Sequence, residues 1–165
     1  GAGTATPSAR SAGPVATAAS AKTVTVEFGM PNVGSGFPPP SGHDQSAHAV
    51  DNMVPRTVVI DKGDKVTFKT GGVHQIAIYA PGTLPGDIDT SDLVLTPDNC
   101  PKGMNGTTPL LIDDETNRIA NYPQACVQGP RTVEHIFNEP GRYLVICSFL
   151  PHFQVQMYGW VIVRE

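Results

Sequence analysis

The stretch that decides the fold is Gly141 to Val163, GRYLVICSFLPHFQVQMYGWVIV. Apolar runs at its two ends are rich in the β-branched and aromatic residues typical of strands. Between them, Cys147, His152 and Met157 recur at five-residue intervals. A thiol, an imidazole and a thioether presented by one short loop indicate a binding site for a soft metal ion.

A second histidine upstream completes the donor set. His74 lies in GGVHQIAIYA, at the start of an alternating segment, on the same face as the two isoleucines. A lone histidine on an apolar face is usually a core residue, but the downstream loop lacks one donor. Two imidazoles, a thiolate and a weak axial thioether form the type 1, or blue, copper set. We therefore predict one copper ion bound by His74, Cys147, His152 and Met157.

The composition favours an all-β domain. The 165 residues are enough for one domain with a substantial core, and the chain contains 17 Gly and 16 Pro but few charged residues. Short apolar runs separated by turns predict about seven or eight strands in a two-sheet, antiparallel Greek-key sandwich. The net charge of -4 argues against nucleic acid as a partner. No segment approaches the ~18 consecutive apolar residues of a membrane span.

The strand pattern recurs along the chain. It covers residues 22–28, 57–70 with a turn at 61–64, 74–78, 132–137, 143–147 and 158–163. The last of these is apolar on both faces, as expected for a central strand. His135 lies on a strand away from the donor loop, and we interpret it as a structural or surface residue.

Two parts of the chain differ from this pattern, one at its start and one between the predicted strands. Residues 1–21 are low-complexity Ala, Gly, Ser, Thr and Pro, which predicts a disordered tail ahead of a single domain at 22–165. The tail lacks the apolar core of a signal peptide, and it could follow a removed export signal or tether the domain to a membrane. Residues 80–130 form a turn-rich insertion between the His74 strand and the C-terminal strands, predicted as a long loop with a helical turn near Asp113 to Ile119.

The chain contains three cysteines, an odd number. We predict a disulfide between Cys100 and Cys126, which leaves Cys147 for the metal. In the chain-entropy model such a bond stabilises the fold by roughly 3 kcal/mol. A structural disulfide implies an oxidising compartment, periplasmic or extracellular. The alternative is that both cysteines are reduced and structural.

The long loop predicted at 29–55 contains further donors. Met30, His43, His48 and Met53 could form a second, looser copper site. The alternative is a solvated loop with ordinary surface histidines, because a loop without regular structure does not preorganise donors.

The two segments that carry the donors resemble one family. IDKGDKVTFKTGGVHQIAIY, followed by EPGRYLVICSFLPHFQVQMYGWVIV, is similar to cupredoxins of the plastocyanin, azurin and rusticyanin kind. The resemblance covers residues 22–79 and 131–165, and the C-x4-H-x4-M spacing resembles that of the rusticyanin loop. It implies a cupredoxin sandwich with one type 1 copper site.

The resemblance also implies a role for each donor. His74 corresponds to the upstream equatorial ligand, Cys147 to the thiolate, His152 to the exposed equatorial imidazole and Met157 to the axial ligand. Many relatives have Gly immediately before the axial Met, whereas this chain has Gln156.

A lone one-electron site with no evident place for substrate predicts a soluble, monomeric electron carrier. Redox partner proteins are expected to dock at an apolar patch around His152, formed by Phe149, Leu150, Pro151 and Phe153. The alternative is a periplasmic copper-binding, delivery or resistance protein, in which the loop at 29–55 would hold additional copper.

An enzymatic role is not expected. Copper oxidases and nitrite reductases place a histidine beside the site's cysteine to couple it to a second copper centre. Here Ile146 and Ser148 flank Cys147. A dinuclear electron-transfer centre would need two cysteines in this loop, and there is one.

Overall fold

The computed structural model describes residues 20–29, 52–70, 74–96, 110–123 and 130–165. Eleven strands lie in this part of the chain: β1 Thr23–Phe28, β2 Met53–Val54, β3 Thr57–Asp61, β4 Lys65–Thr70, β5 Ile76–Tyr79, β6 Leu93–Leu95, β7 Leu110–Ile112, β8 Arg118–Tyr122, β9 Arg131–Ile136, β10 Gly141–Cys147 and β11 Tyr158–Arg164. A 3₁₀ turn at Pro85–Asp87 and one short helix, α1 Leu150–Gln154, complete the elements.

The strands form two main sheets and a ribbon. One sheet has the order β2-β1-β4-β9, the other has the order β3-β11-β10-β5-β8, and β6 pairs with β7. The predicted β-sandwich is confirmed, but it contains more strands than the seven or eight expected. The prediction of purely antiparallel pairing was wrong, because β1 runs parallel to β4 and β3 parallel to β11. In each parallel pair, the chain that links the two strands crosses to the other sheet and returns.

Alternation along the strands builds the core between the sheets. Val26 and Phe28 of β1 face inward with Val66 and Phe68 of β4, and the opposite sheet contributes Val145 among others. These side chains are fully buried. Burying a side chain of this size contributes about 1.5–3 kcal/mol relative to leaving it exposed, so this interior is the main source of stability.

The insertion explains why the central strands are apolar on both faces. Leu144 and Ile146 of β10 point away from the main core, into a second buried cluster with Ala77, Tyr79 and Ile112. Ile112 belongs to the β6–β7 ribbon, so the insertion covers the outer face of the five-stranded sheet.

Residues 80–130 are therefore not simply a long loop. Within the described part, the segment contains the ribbon, and β8 extends the main sheet by pairing with β5. The helical turn expected near Asp113 to Ile119 was wrong, because β8 begins at Arg118. The Asp114 carboxylate accepts hydrogen bonds from the main-chain N–H groups of Thr116 (2.8 Å) and Asp89 (2.9 Å), which stabilises a turn instead.

Several sequence expectations concern residues outside the described part of the chain. They are the tail up to residue 19, the proposed disulfide partners Cys100 and Cys126, and the loop donors Met30, His43 and His48. Among the described residues, no helix has the length and apolar character needed to cross a membrane.

Candidate metal centre

Several strand ends meet at one end of the sandwich. Strands β1, β4 and β10 end here, at Phe28, Thr70 and Cys147. Strand β5 begins here at Ile76, and β9 begins at Arg131, opposite Thr70. Register aligns Cys147 with Ile76, and Phe28 with Thr70. The connections that follow these strands are therefore brought close together, although they lie far apart in the sequence.

Three of the predicted donors converge at this end. The Sγ of Cys147 lies 3.8 Å from Nδ1 of His74 and 3.6 Å from Nδ1 of His152, and the two Nδ1 atoms are 3.1 Å apart. Donors that share one ion in a trigonal plane, with metal–nitrogen and metal–sulfur distances near 2.0 and 2.3 Å, lie about 3.5 Å apart for two nitrogens and about 3.7 Å apart for nitrogen and sulfur. The two nitrogen–sulfur distances fit a single small ion, and the two nitrogens lie somewhat closer together than in an ideal trigonal plane.

His74 is fixed from the side opposite the donors. Its imidazole hydrogen-bonds to the main chain of Gly29, and this bond raises the pKa of the ring, so the ring N–H is the donor. Gly29 has φ +68, and a Cβ at this position would overlap the imidazole on its Nε2 side. The contact requires glycine. It leaves Nδ1 facing Cys147 and His152, as is usual for a ligand histidine held by a backbone carbonyl.

Burial keeps His74 neutral. The residue is 5% exposed, and desolvation is the main cause that lowers its pKa to about 4, with a smaller contribution from the nearby Arg131 cation. A histidine must be deprotonated to bind a metal. His74 is therefore in its ligand form at neutral pH without competition from protons.

Cys147 is the last residue of β10. It is fully buried and carries a thiol rather than a disulfide. Its N–H donates to the carbonyl of Met157 (2.9 Å), so the β10–β11 ladder extends to the two ends of the donor loop. Met157 is also fully buried, and it packs in the same hydrophobic cluster as Cys147.

The helix α1 presents His152 from the loop. His152 is half-buried, and Phe149 stacks on its ring with centroids 5.3 Å apart and an interplanar angle of 28°. The N–H of Met157 donates to the carbonyl of His152 (3.0 Å). Between them, Gln156 adopts φ +66, the left-handed conformation that glycine adopts most easily. Gln156 thus forms the left-handed turn that returns the chain to β11.

The apolar patch around His152 is smaller than expected. Phe149 is 7% exposed, so it was wrongly included in this surface. Its position under the imidazole explains the burial. Leu150 and Phe153 are half-buried and Pro151 is exposed, so these three residues form the remaining apolar surface beside His152.

The insertion supports the loop from outside. The N–H of Ile112 donates to the carbonyl of Ser148 (2.8 Å), and Leu111 forms an antiparallel bridge with Phe149. On the other side, the N–H of Ser148 donates to the carbonyl of Gln75 (2.8 Å). The residue that follows Cys147 is therefore held between the ribbon and the His74 segment.

Sequence reasoning missed these supporting contacts. Gly29 could have been suspected only as a glycine at a strand end, and nothing in the sequence connects Arg131 to the site. Yet Nη2 of Arg131 donates to the carbonyl of His74 at 2.6 Å. Met53, expected in a second copper site, is instead a core residue of β2 with 1% exposure.

His135 lies apart from the donors, in agreement with its structural interpretation. It is half-buried, its Nδ1 lies 2.7 Å from the hydroxyl of Tyr122, and its ring meets the edge of Phe137 at 4.6 Å. Among the described residues, His74, Cys147 and His152 make the group that could hold a metal ion.

Comparisons with known proteins agree with this chemistry. The model of a family of copper-binding proteins, plastocyanin/azurin family, matches residues 46–164. No curated protein matches the chain. The fold is similar to that of a dithionite-reduced auracyanin from the photosynthetic bacterium Roseiflexus castenholzii, with 18% identity and a TM-score of 0.52 over 89% of this chain and 100% of that one.

A second similar structure is auracyanin A, described as a blue copper protein, from the green thermophilic photosynthetic bacterium Chloroflexus aurantiacus. Identity is 16%, with 86% of this chain and 98% of that one covered and a TM-score of 0.46. The family match and the His-Cys-His cluster support one copper ion as the cofactor.

Proposed function

Because the chain belongs to the plastocyanin/azurin family of copper-binding proteins, we propose that it carries single electrons on one type 1 copper ion. His74, Cys147 and His152 would bind the ion, with Met157 as a weak axial donor. Bound copper supplies a one-electron change between Cu(II) and Cu(I). The observation that carries this proposal is the convergence of the two Nδ1 atoms and Sγ within 3.8 Å of one another.

The surrounding residues suit such a role by limiting movement. His74 is fixed by Gly29, and the Cys147 and Met157 main chains are bonded to each other. Phe149 supports the His152 ring from one side. Donors held by the folded chain need little rearrangement when the charge of the metal changes, because the protein rather than the ion sets their positions.

His152 is the donor at which we expect electrons to enter and leave the site. It is half-buried, whereas His74 and Cys147 are buried. We propose that redox partner proteins dock over His152 on the apolar surface of Leu150, Pro151 and Phe153. Small, apolar and transient interfaces are typical of electron-transfer encounters.

The compartment is proposed on the same basis. A copper–thiolate site of this family suits an exported protein, in the periplasm or outside the cell, and a disulfide between Cys100 and Cys126 would fit that setting. Thiol titration of the unfolded protein with and without reductant counts accessible thiols. A gain of two thiols on reduction is expected, and an unchanged count would contradict the disulfide.

Copper-dependent spectra test the proposed function. We would add Cu(II) to the purified protein and record visible absorption and electron paramagnetic resonance. An intense thiolate-to-copper band with a narrow copper hyperfine splitting is expected. A pale, ordinary Cu(II) spectrum would show that Cys147 does not bind the ion, and the proposal would fail.

Copper delivery is the competing role. It was motivated by the loop donors, of which Met53 lies in β2 and packs in the hydrophobic core between the sheets. Counting bound copper in the wild-type protein and in a His43→Ala/His48→Ala variant separates the two roles. One copper ion in both supports the electron carrier, whereas two in the wild type and one in the variant support delivery.

A further inference from the structure

An arginine from the opposite sheet lies against the donor cluster. Arg131 begins β9 and pairs with Thr70 at the end of β4. Its Nη2 donates to the main-chain carbonyl of His74 at 2.6 Å, across 57 residues of sequence. The side chain is half-buried. The guanidinium is thus held in place at the edge of the site rather than extended into solvent.

The charge of Arg131 acts on two of the three donors. It opposes protonation of His74. Burial lowers the pKa of Arg131, and a negative charge on Cys147 acts against this by stabilising the guanidinium. Glu134, the carboxylate of the same strand, is engaged elsewhere, in an ion pair with Lys65 at 2.9 Å. The guanidinium keeps its positive charge at all ordinary pH values.

The charge of the site itself depends on its redox state. Two neutral imidazoles and one thiolate give a net charge of about +1 with Cu(II) and about 0 with Cu(I), by the usual ligand charges. The added electron comes from a reduced partner protein, and the donor set gains no proton. A fixed positive charge beside the site therefore disfavours the oxidised state more than the reduced one.

We propose that Arg131 is a positioning residue of the copper site, which holds the His74 main chain and, through its charge, raises the affinity for Cu(I) relative to Cu(II). The role rests on the proposed copper site. It assigns to this chain an electrostatic control of the reduction potential that comes from outside the four ligands.

Arg131→Gln is the direct test, because it removes the charge and keeps N–H donors. The reduction potential would be measured by spectroelectrochemical titration of the blue band. We expect the ratio of Cu(I) to Cu(II) at a fixed ambient potential to fall about tenfold, as for a unit charge at a partly buried site. For a one-electron couple this corresponds to a decrease of about 59 mV.

Arg142→Gln is the matched control. Arg142 lies near the start of β10, far along the strand from Cys147, and its guanidinium stacks over Trp160 at 3.7 Å. The substitution changes the net charge equally but away from the site, so the potential should stay at the wild-type value. Repetition in 1 M salt strengthens the contrast, because the Debye length is then about 3 Å and surface effects vanish, whereas the Arg131 effect should persist.

Arg131→Lys separates charge from hydrogen-bond geometry. It keeps the cation and loses the planar fork, so the potential should stay within about a threefold change in the Cu(I) to Cu(II) ratio. A tenfold fall in Arg131→Lys, or an unchanged potential in Arg131→Gln, would overturn the electrostatic role. If the Gln variant does not fold, Arg131→Met, which also removes the charge and keeps much of the aliphatic side chain, is measured in its place: the same tenfold fall is expected, and an unchanged potential would overturn the electrostatic role. A wild-type protein without the blue band would instead contradict the copper site, which is a different outcome.

Discussion

Two histidines, His74 ahead of β5 and His135 in β9 of the other sheet, show what makes a metal ligand in this protein. In both, burial lowers the pKa, for His74 to about 4. At His135, Nδ1 is engaged by the Tyr122 hydroxyl and the ring packs on Phe137. At His74, the main chain of Gly29 engages one side of the ring, and Nδ1 faces a thiol and another imidazole. Burial is therefore common to both, and the convergence of donors distinguishes the site.

The largest effect is expected from removing the thiol. Cys147→Ser replaces the soft donor with a hydroxyl that does not ionise at neutral pH, and the charge-transfer band should disappear. Loss of even a supporting partner costs 10–100-fold in metal affinity, so copper affinity should fall by roughly a hundredfold or more. Absorption spectra and a competitive copper titration measure both. An intense band retained in this variant would refute the assignment of Cys147.

Gly29→Ala tests the support of His74 and should have the next largest effect. The new Cβ would overlap the imidazole, and the left-handed φ adds strain of about 1–2 kcal/mol. We expect a loss of copper affinity on the order of 10–100-fold together with lower stability.

Gly63→Ala is the control for strain alone. Gly63 has φ +87, and a Cβ there meets nothing within 4 Å. Denaturant unfolding should show that both variants are destabilised, whereas copper titration should show weaker binding in Gly29→Ala alone. Equal copper affinity in the two variants would mean that Gly29 does not position His74.

Met157→Leu should produce a smaller change at the same site. The axial thioether is a weak donor, so the blue band should remain. Leu keeps a similar volume at this fully buried position, which limits the structural cost to under about 1.5 kcal/mol. We expect the reduction potential to rise, because loss of a donor disfavours Cu(II). A voltammetric potential at or below the wild-type value would exclude Met157 as an axial ligand.

The smallest effect is expected for His135→Asn, which tests the comparison between His135 and His74. The wild-type pKa of His135 is lowered by burial, so between that pKa and the ordinary value near 6.5 the unfolded chain binds more protons than the folded protein. Wild-type stability should therefore fall as pH drops below about 6.5. Asn offers an acceptor near Nδ1 without titrating, so the decline should be shallower.

The measurement is denaturant unfolding of copper-loaded protein at several pH values. The blue band of His135→Asn should match the wild type, because Nδ1 of His135 is engaged by Tyr122. A changed band would place His135 in the metal site and remove the contrast with His74.

The sequence predicted the features that local pattern controls. The turn between β3 and β4, the inward alternation of β10 and the close spacing of Cys147 and His152 are all encoded within short segments. The upstream donor was predictable because one ligand was missing from the loop. Sequence and structure agree most closely here, since few residues separate the groups that meet.

Features that depend on distant contacts were not predictable. Arg131 lies in the four-stranded sheet and bonds to His74, which precedes a strand of the five-stranded sheet. The role of Gly29 depends on its backbone φ angle and on the His74 ring that packs against it. The insertion was expected to be a loop because its turn residues dominate the composition, although Leu111 and Ile112 of its ribbon hold the donor loop. In each case the two residues in contact lie in distant segments of the chain, and no local sequence pattern connects one segment to the other.

The connection between β10 and β11 has a consequence for the order in which the protein folds around copper. Five residues separate Cys147 from His152, whereas 73 separate it from His74. Closing the longer loop costs about 2 kcal/mol more in chain entropy. An unfolded chain should therefore capture the ion on this hairpin first, and His74 should join only as the sandwich closes. Copper added to the chain in denaturant should then speed refolding, and Cys147→Ser should abolish the acceleration while His74→Ala leaves most of it.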